Sequence, residues 1–216
     1  MSPTDRHDRT DNRFHCQAMK RYKVPVLLVI VLPVCLAIFW LVSTSRAATG
    51  TPDYKVIRTD EKFEIRDYPA LAVATTPMEG GEMNRGFGQL FRFITGSNEG
   101  AEKISMTTPV LIDSAKDKKT MSFIMPQKAV EKSMHKPAGG NVSLDKVAAA
   151  RFAVLRSGGG RTAENESKAI ANLNAWLDGP KITGKGEPGF AYYDPPWTPL
   201  FMRRNEVMIR IGRGQE

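Results

Sequence analysis

The sequence predicts an α+β domain of two βαββ halves that share one mixed or antiparallel sheet, with two helices on a face. Three observations carry this. The apolar period changes from two to 3.6 and back twice along the chain, at residues 82–95 and 163–178. The order strand, helix, strand, strand occurs at 70–76, 82–95, 104–112 and 119–125, and again at 150–156, 163–178, 189–193 and 206–211. Phe91 to Gly96 answers Asn174 to Gly179 at an offset of 83, and Met121 answers Val207 at 86. Runs of strands interleaved with single helices define this class.

Each element has its own cause. Tyr54 to Thr59 and Lys62 to Tyr68 flank Asp60-Glu61 as a hairpin, with Phe63 and Ile65 alternating with Glu64 and Arg66. Ala70 to Thr75 is a strand bounded by Pro69 and Pro77. In the first helix Met83, Phe87, Leu90, Phe91 and Ile94 share a face, Gly86 and Gly88 weaken it, and Gly96 stops it. Ile104 to Ile112 and Lys119 to Met125 read as strands around a polar turn, with Pro109 marking an edge or bulge. Residues 126–141 read as loop, and Val147 to Arg156 ends in a strand. The second helix takes Thr162 as N-cap and Gly179-Pro180 as stop, with Ala169, Ile170, Leu173, Trp176 and Leu177 on one side. Gly189 to Tyr193 and Glu206 to Ile211 close the domain around a proline-rich connection.

The N-terminal part is of another kind. Residues 24–42 hold 19 residues without a charge, with Pro33 inside and Trp40 near the end. A helix of that length spans roughly 28 Å, close to the hydrocarbon core of a bilayer. Basic residues crowd residues 1–23, whereas only Arg46 follows closely. The expected organisation is a cytoplasmic basic N-terminus (1–23), a signal-anchor (24–42), a linker (43–52) and an extracytoplasmic domain (53–216). A periplasmic location follows if the source is bacterial. Ser45-Arg46-Ala47 is also a small-x-small cleavage site, so secretion after cutting behind Ala47 stays open.

This division decides what the charge means. The 216 residues carry 31 Lys+Arg against 23 Asp+Glu, a net +8, but residues 47–216 hold only +4 of it. That removes the main support for nucleic-acid binding. Both cysteines, Cys16 and Cys35, also lie outside the expected exported domain. That domain has one histidine, His135, and no HExxH, CxxC, GxSxG or phosphate-binding glycine pattern. Its poverty in reactive groups favours a non-catalytic binder. Eight methionines, Met78 and Met83 among them, suit irregular apolar packing and can ligate haem iron. Arg203-Arg204 is a candidate pair for an anionic group.

Four ordered segments carry a family resemblance. Phe63-Glu64-Ile65-Arg66-Asp67-Tyr68 resembles the opening Y-E-I-R-x-Y strand of the SOUL haem-binding family. Gly86-Phe87 and Leu90 to Glu99 resemble its helix and turn, Lys103 to Val110 its KI.MT.PV motif, and Arg204-Asn205-Glu206-Val207 its closing RNEV. The resemblance covers about residues 53–212. It implies a distorted β-barrel-like α+β fold with two helices, and a tetrapyrrole ligand: haem or an iron-free porphyrin. Some members carry a proposed histidine ligand where Asp67 stands here, so that ligation does not carry over and the metal ligand is unknown. By analogy with other members, Met78, Met83 and Leu90 are expected to give apolar contact, and Arg85 and Arg92 to pair with propionates. The alternative is a sensing or protein-interaction domain that binds another amphipathic molecule, because fold alone does not fix ligand.

Overall fold

The computed structural model describes residues 50–78, 83–115, 118–131, 136–179, 182 and 186–212, together with Val31 and Pro33. The expected membrane segment 24–42 therefore lies outside the described residues except for those two, which are helical, and His135 and Met134 lie outside them too. Among the described residues no helix is long and apolar enough to cross a membrane. Residues 49–216 form one compact unit.

Among the described residues, nine antiparallel strands make a single curled sheet. In chain order these are β1 (Lys55–Asp60), β2 (Phe63–Tyr68), β3 (Leu71–Pro77), β4 (Val110–Ala115), β5 (Lys118–Ile124), β6 (Ser143–Val147), β7 (Ala150–Ser157), β8 (Pro188–Tyr192) and β9 (Asn205–Ile211). Helices α1 (Met83–Ile94) and α3 (Ala163–Asp178) are the expected pair, and a short α2 (Gln127–Glu131) lies between them. The spatial order is β1-β2-β7-β9-β8-β4-β5-β3-β6. Outward from the central β8–β4 pair, β9 answers β5, β7 answers β3 and β2 answers β6. This is the pseudo-twofold that the repeated strand–helix–strand–strand order predicts.

Strand register puts both helices on one face. Met121, Ile112, Phe190, Val207, Leu155 and Phe63 form a single cross-strand row. Side chains alternate along a strand, so every second residue of these strands faces the helices. Leu90, Phe93 and Ile94 of α1 pack with Ala74, Met121 and Phe123. Ala169, Leu173 and Leu177 of α3 pack with Ile65, Leu155 and Ile209. Leu90 and Leu173, offset by 83, are both fully buried. Each such side chain contributes roughly 1.5–3 kcal/mol. Helix α3 starts as the sequence predicts: the Asn165 N–H donates to Thr162 Oγ1 at 3.2 Å. Helix α1 ends where Gly96 adopts φ 122°. Asn98 then closes the turn, donating to the carbonyls of Phe93 (3.1 Å) and Glu102 (2.7 Å).

Several expectations are corrected. Residues 104–109 are not a strand, since β4 begins only at Val110. Thr107 Oγ1 instead donates to the Ile124 carbonyl, and the Thr108 N–H to the Gly50 carbonyl. The stretch read as loop at 126–141 contains α2. Strand β6 pairs with β3 although SLDKV shows no apolar alternation. On α1, Phe87 and Phe91 lie at the border of the buried face and are partly exposed, whereas Phe93 is buried. Helix α3 does stop at Gly179, as expected.

The opposite face of β2 and β9 holds an ion network. Arg66, fully buried, donates from Nε to Glu64 (2.6 Å) and from both terminal nitrogens to Glu206 (2.8 and 3.1 Å). Its guanidinium also donates to the Tyr68 hydroxyl at 3.2 Å and stacks over Tyr54 at 4.5 Å. Glu206 further accepts from the Tyr193 hydroxyl (2.9 Å) and from Arg204 (2.7 and 2.9 Å). Burial works to raise the Glu206 pKa, but the bonds and charge of Arg66 and Arg204 outweigh it and hold the carboxyl below its ordinary value. Glu64, Arg66 and Glu206 thus serve the fold, tying β2 to β9 across β7.

Candidate functional site

Inside the curled sheet, the cavity among the described residues is too small for a tetrapyrrole. Tyr68, Leu71, Leu111, Phe152 and Met208 line a cavity there of about 80 Å³. Pockets for small organic ligands run about 300–1,000 Å³. Asp67, at the position where a ligating histidine was considered, is held by Arg151 through bonds of 2.8 and 3.0 Å. Among the described residues no group of three His, Cys, Asp or Glu side chains is placed to hold a metal ion.

The outward side of α1 is built differently. Its apolar anchor row Leu90, Phe93 and Ile94 fixes the helix rotation against the sheet. At about 100° per residue, Phe87 and Phe91 then fall on one flank and Arg85 and Arg92 on the other. The two phenyl rings stack at 5.9 Å with 15° between planes, and Phe87 meets the buried Phe123 edge-on at 5.4 Å. Phe91 stays 45% exposed. Between the flanks lies Gly88, where an added Cβ would meet nothing within 4 Å. The surface is a shallow trough with an aromatic wall, a bare floor and a cationic wall.

The β8–β9 connection supplies a second apolar surface. Trp197, Leu200 and Phe201 are exposed, Trp197 at 82% and Phe201 at 88%. Arg203 holds this loop by donating to the carbonyls of Thr198 (2.8 Å) and Pro196. Arg204 stacks on Tyr193 at 4.0 Å, and its N–H donates to Asp194 Oδ2 at 2.5 Å. The pair considered for an anionic ligand is therefore engaged within the protein. Arg161 links the loop to α1: it donates to the Asp194 carbonyl at 2.8 Å and meets Met83 Sδ at 3.6 Å.

The residues singled out from sequence separate into two groups. Met78 and Leu90 are buried in the α1 core and Met83 packs half-buried against it. Arg85 and Arg92 are exposed on the outer side of α1. Sequence reasoning assigned Phe87 and Phe91 to the core face and so missed the trough they build. Trp197, Leu200 and Phe201 were passed over because a proline-rich loop gives no periodicity from which exposure is read.

Together the fold and this surface define an α+β domain of two βαββ halves, closed by a nine-stranded half-barrel and carrying an exposed aromatic–cationic face. The model of the SOUL heme-binding protein family matches residues 49–210, and the chain belongs to that family. No curated protein matches it. Solved structures share the fold at low identity. The EcmrR C-terminal domain has TM-score 0.53 and 12% identity, covering 74% of this chain and 98% of that one. An uncharacterized conserved protein from Listeria innocua has TM-score 0.52 and 11% identity, covering 71% and 93%. A hydrolase from Listeria innocua has TM-score 0.50 and 12% identity, covering 72% and 94%.

Proposed function

We infer that the protein holds haem, or an iron-free porphyrin, on the outward face of α1, without catalysis, in a domain anchored to the membrane outside the cytoplasm. The observation that carries the reading is the trough over Gly88. A flat macrocycle laid there would stack its ring on Phe87 and Phe91. Its propionates would reach Arg85 and Arg92, which give charge-assisted hydrogen bonds to carboxylates. Met83, packed half-buried against the α1 core and met by Arg161, lies off this surface. Bound haem would bring iron-centred redox and gas-binding chemistry; the chain's own residues bind and orient it. Membership of the SOUL family supports the ligand class, and the poverty of residues 47–216 in Cys and His supports holding over transforming.

Gly88→Leu is the sharpest test of placement. The position is open, and Leu favours helix over Gly by up to about 1 kcal/mol. The variant is expected to keep or raise the melting temperature while weakening haem binding at least tenfold in an absorbance titration. Phe87→Ala with Phe91→Ala should weaken it similarly. Unchanged affinity in both would remove α1 as the site.

Anchoring rests on the 19 uncharged residues at 24–42 and the basic excess before them. Intact-mass measurement of the protein recovered from membranes is expected to include those residues. A new N-terminus at Ala48 would replace the anchor by a cleaved signal.

A further inference from the structure

A second cavity, of about 360 Å³, lies on the helix-bearing side, between the first turns of α3, the Gly158–Gly160 loop and strands β7, β8 and β9. It is separate from the outer face of α1 and falls within the size range of small-ligand sites. Phe190 and Tyr192 give it an apolar wall, while Arg161, Lys168, Glu166 and Asn205 bring polar groups to it.

Two of those polar groups are incomplete. Asn205, only 7% exposed, donates from Nδ2 to the Gly159 carbonyl at 3.0 Å, but its Oδ1 is buried and has no partner among the described residues. Arg161 lies over the Tyr192 ring at 4.2 Å and uses its terminal nitrogens on Asp194 and Met83, while its Nε–H is buried and has no partner among the described residues. An unsatisfied buried polar atom costs about 1–3 kcal/mol, so its presence calls for a reason. Glu166 accepts the Tyr192 hydroxyl at 2.6 Å through one carboxylate oxygen. Burial, the largest influence on Arg161, pulls its pKa below the ordinary value.

We propose that this cavity binds a small polyhydroxylated anion, a sugar carrying a carboxylate or a phosphate. The anionic group meets the Arg161 Nε–H and the Lys168 ammonium. Sugar hydroxyls donate to Asn205 Oδ1 and to the second Glu166 oxygen. The non-polar face of the sugar ring lies against Phe190. A bare anion leaves Asn205 Oδ1 unmet, and a neutral sugar leaves the cations unmet, so the site selects for both features in one molecule.

The test is calorimetric titration of the full chain in detergent with glucuronate and glucose 6-phosphate, set against glucose and inorganic phosphate. At least one sugar acid is expected to bind saturably and at least tenfold more tightly than either control, and which one binds decides between carboxylate and phosphate. Lys168 is exposed and, unlike Arg161, does not touch Met83, so Lys168→Glu isolates this cavity. It should weaken binding at least fivefold while leaving the melting temperature and haem titration unchanged. Sugar acids that bind no better than the controls, or that bind Lys168→Glu as tightly as wild type, would overturn the proposal.

Discussion

Replacing Glu206 by alanine is expected to cost about 3–5 kcal/mol of folding stability, the usual loss when one partner of a buried ion pair is removed. Arg66 would remain buried, its two terminal nitrogens stripped of Glu206, with the neutral Tyr68 hydroxyl and Glu64 as its remaining acceptors. At about 2–4 °C per kcal/mol for a domain of this size, the melting temperature should fall by roughly 6–20 °C. Arg66→Met combined with Glu206→Leu should lose less than either single change, because no fully buried charge is left, Glu64 keeps Arg156 at 3.3 Å and Arg204 keeps its place over Tyr193. Thermal unfolding followed by circular dichroism measures all three. A single-variant loss under about 1 kcal/mol would show that the network does not hold the sheet. The same group sets an acid limit. The Glu206 pKa is lowered in the fold from the ordinary 4.5, so its contribution is fully present above that value. It is lost as pH falls through the lowered folded-state pKa. Glu206→Gln should flatten the stability profile in that acid window and leave the profile above it unchanged in shape.

Leu90→Ala should cost about 2–5 kcal/mol, since it opens a cavity beneath α1 against Met121 and Phe123. Leu90 was also a candidate for ligand contact, and its complete burial separates the two roles. With the protein held well below its melting temperature, Leu90→Ala is expected to bind haem within about threefold of wild type, whereas the Phe87 and Phe91 changes weaken binding without comparable loss of stability. Chemical denaturation and haem titration of the same preparations measure the two effects. A large loss of affinity together with a small loss of stability would return Leu90 to the ligand surface.

Local pattern carried much of the architecture. Helix α3 was legible because its cap, its apolar spacing and its stop agree. Strand β6 was not, since Ser143 to Val147 becomes a strand only by pairing with β3 at the sheet margin. The alternation in β2 marked a strand but not its surroundings. Curling of the sheet covers both faces, so Glu64 and Arg66 are as hidden as Ile65. The segments that signalled the family turn out to hold structure: Arg66 with Glu206, Asn98 at the end of α1, Thr107 on the Ile124 carbonyl. The candidate binding surfaces were less legible for a physical reason. Whether Phe87 faces inward or outward depends on a few tens of degrees of helix rotation, which Phe123 and the sheet decide. The cavity at Asn205 gathers side chains from α3, β8 and β9 that no local spacing connects.

The central claim is that this domain holds a tetrapyrrole on the outside of α1. It is tested most directly by titrating haem into the full chain in detergent and following the Soret band, with Gly88→Leu alongside. A saturable Soret shift at one equivalent in wild type, weakened at least tenfold by Gly88→Leu, is the predicted result. No shift with haem, together with no fluorescence quenching by iron-free porphyrin, would contradict it.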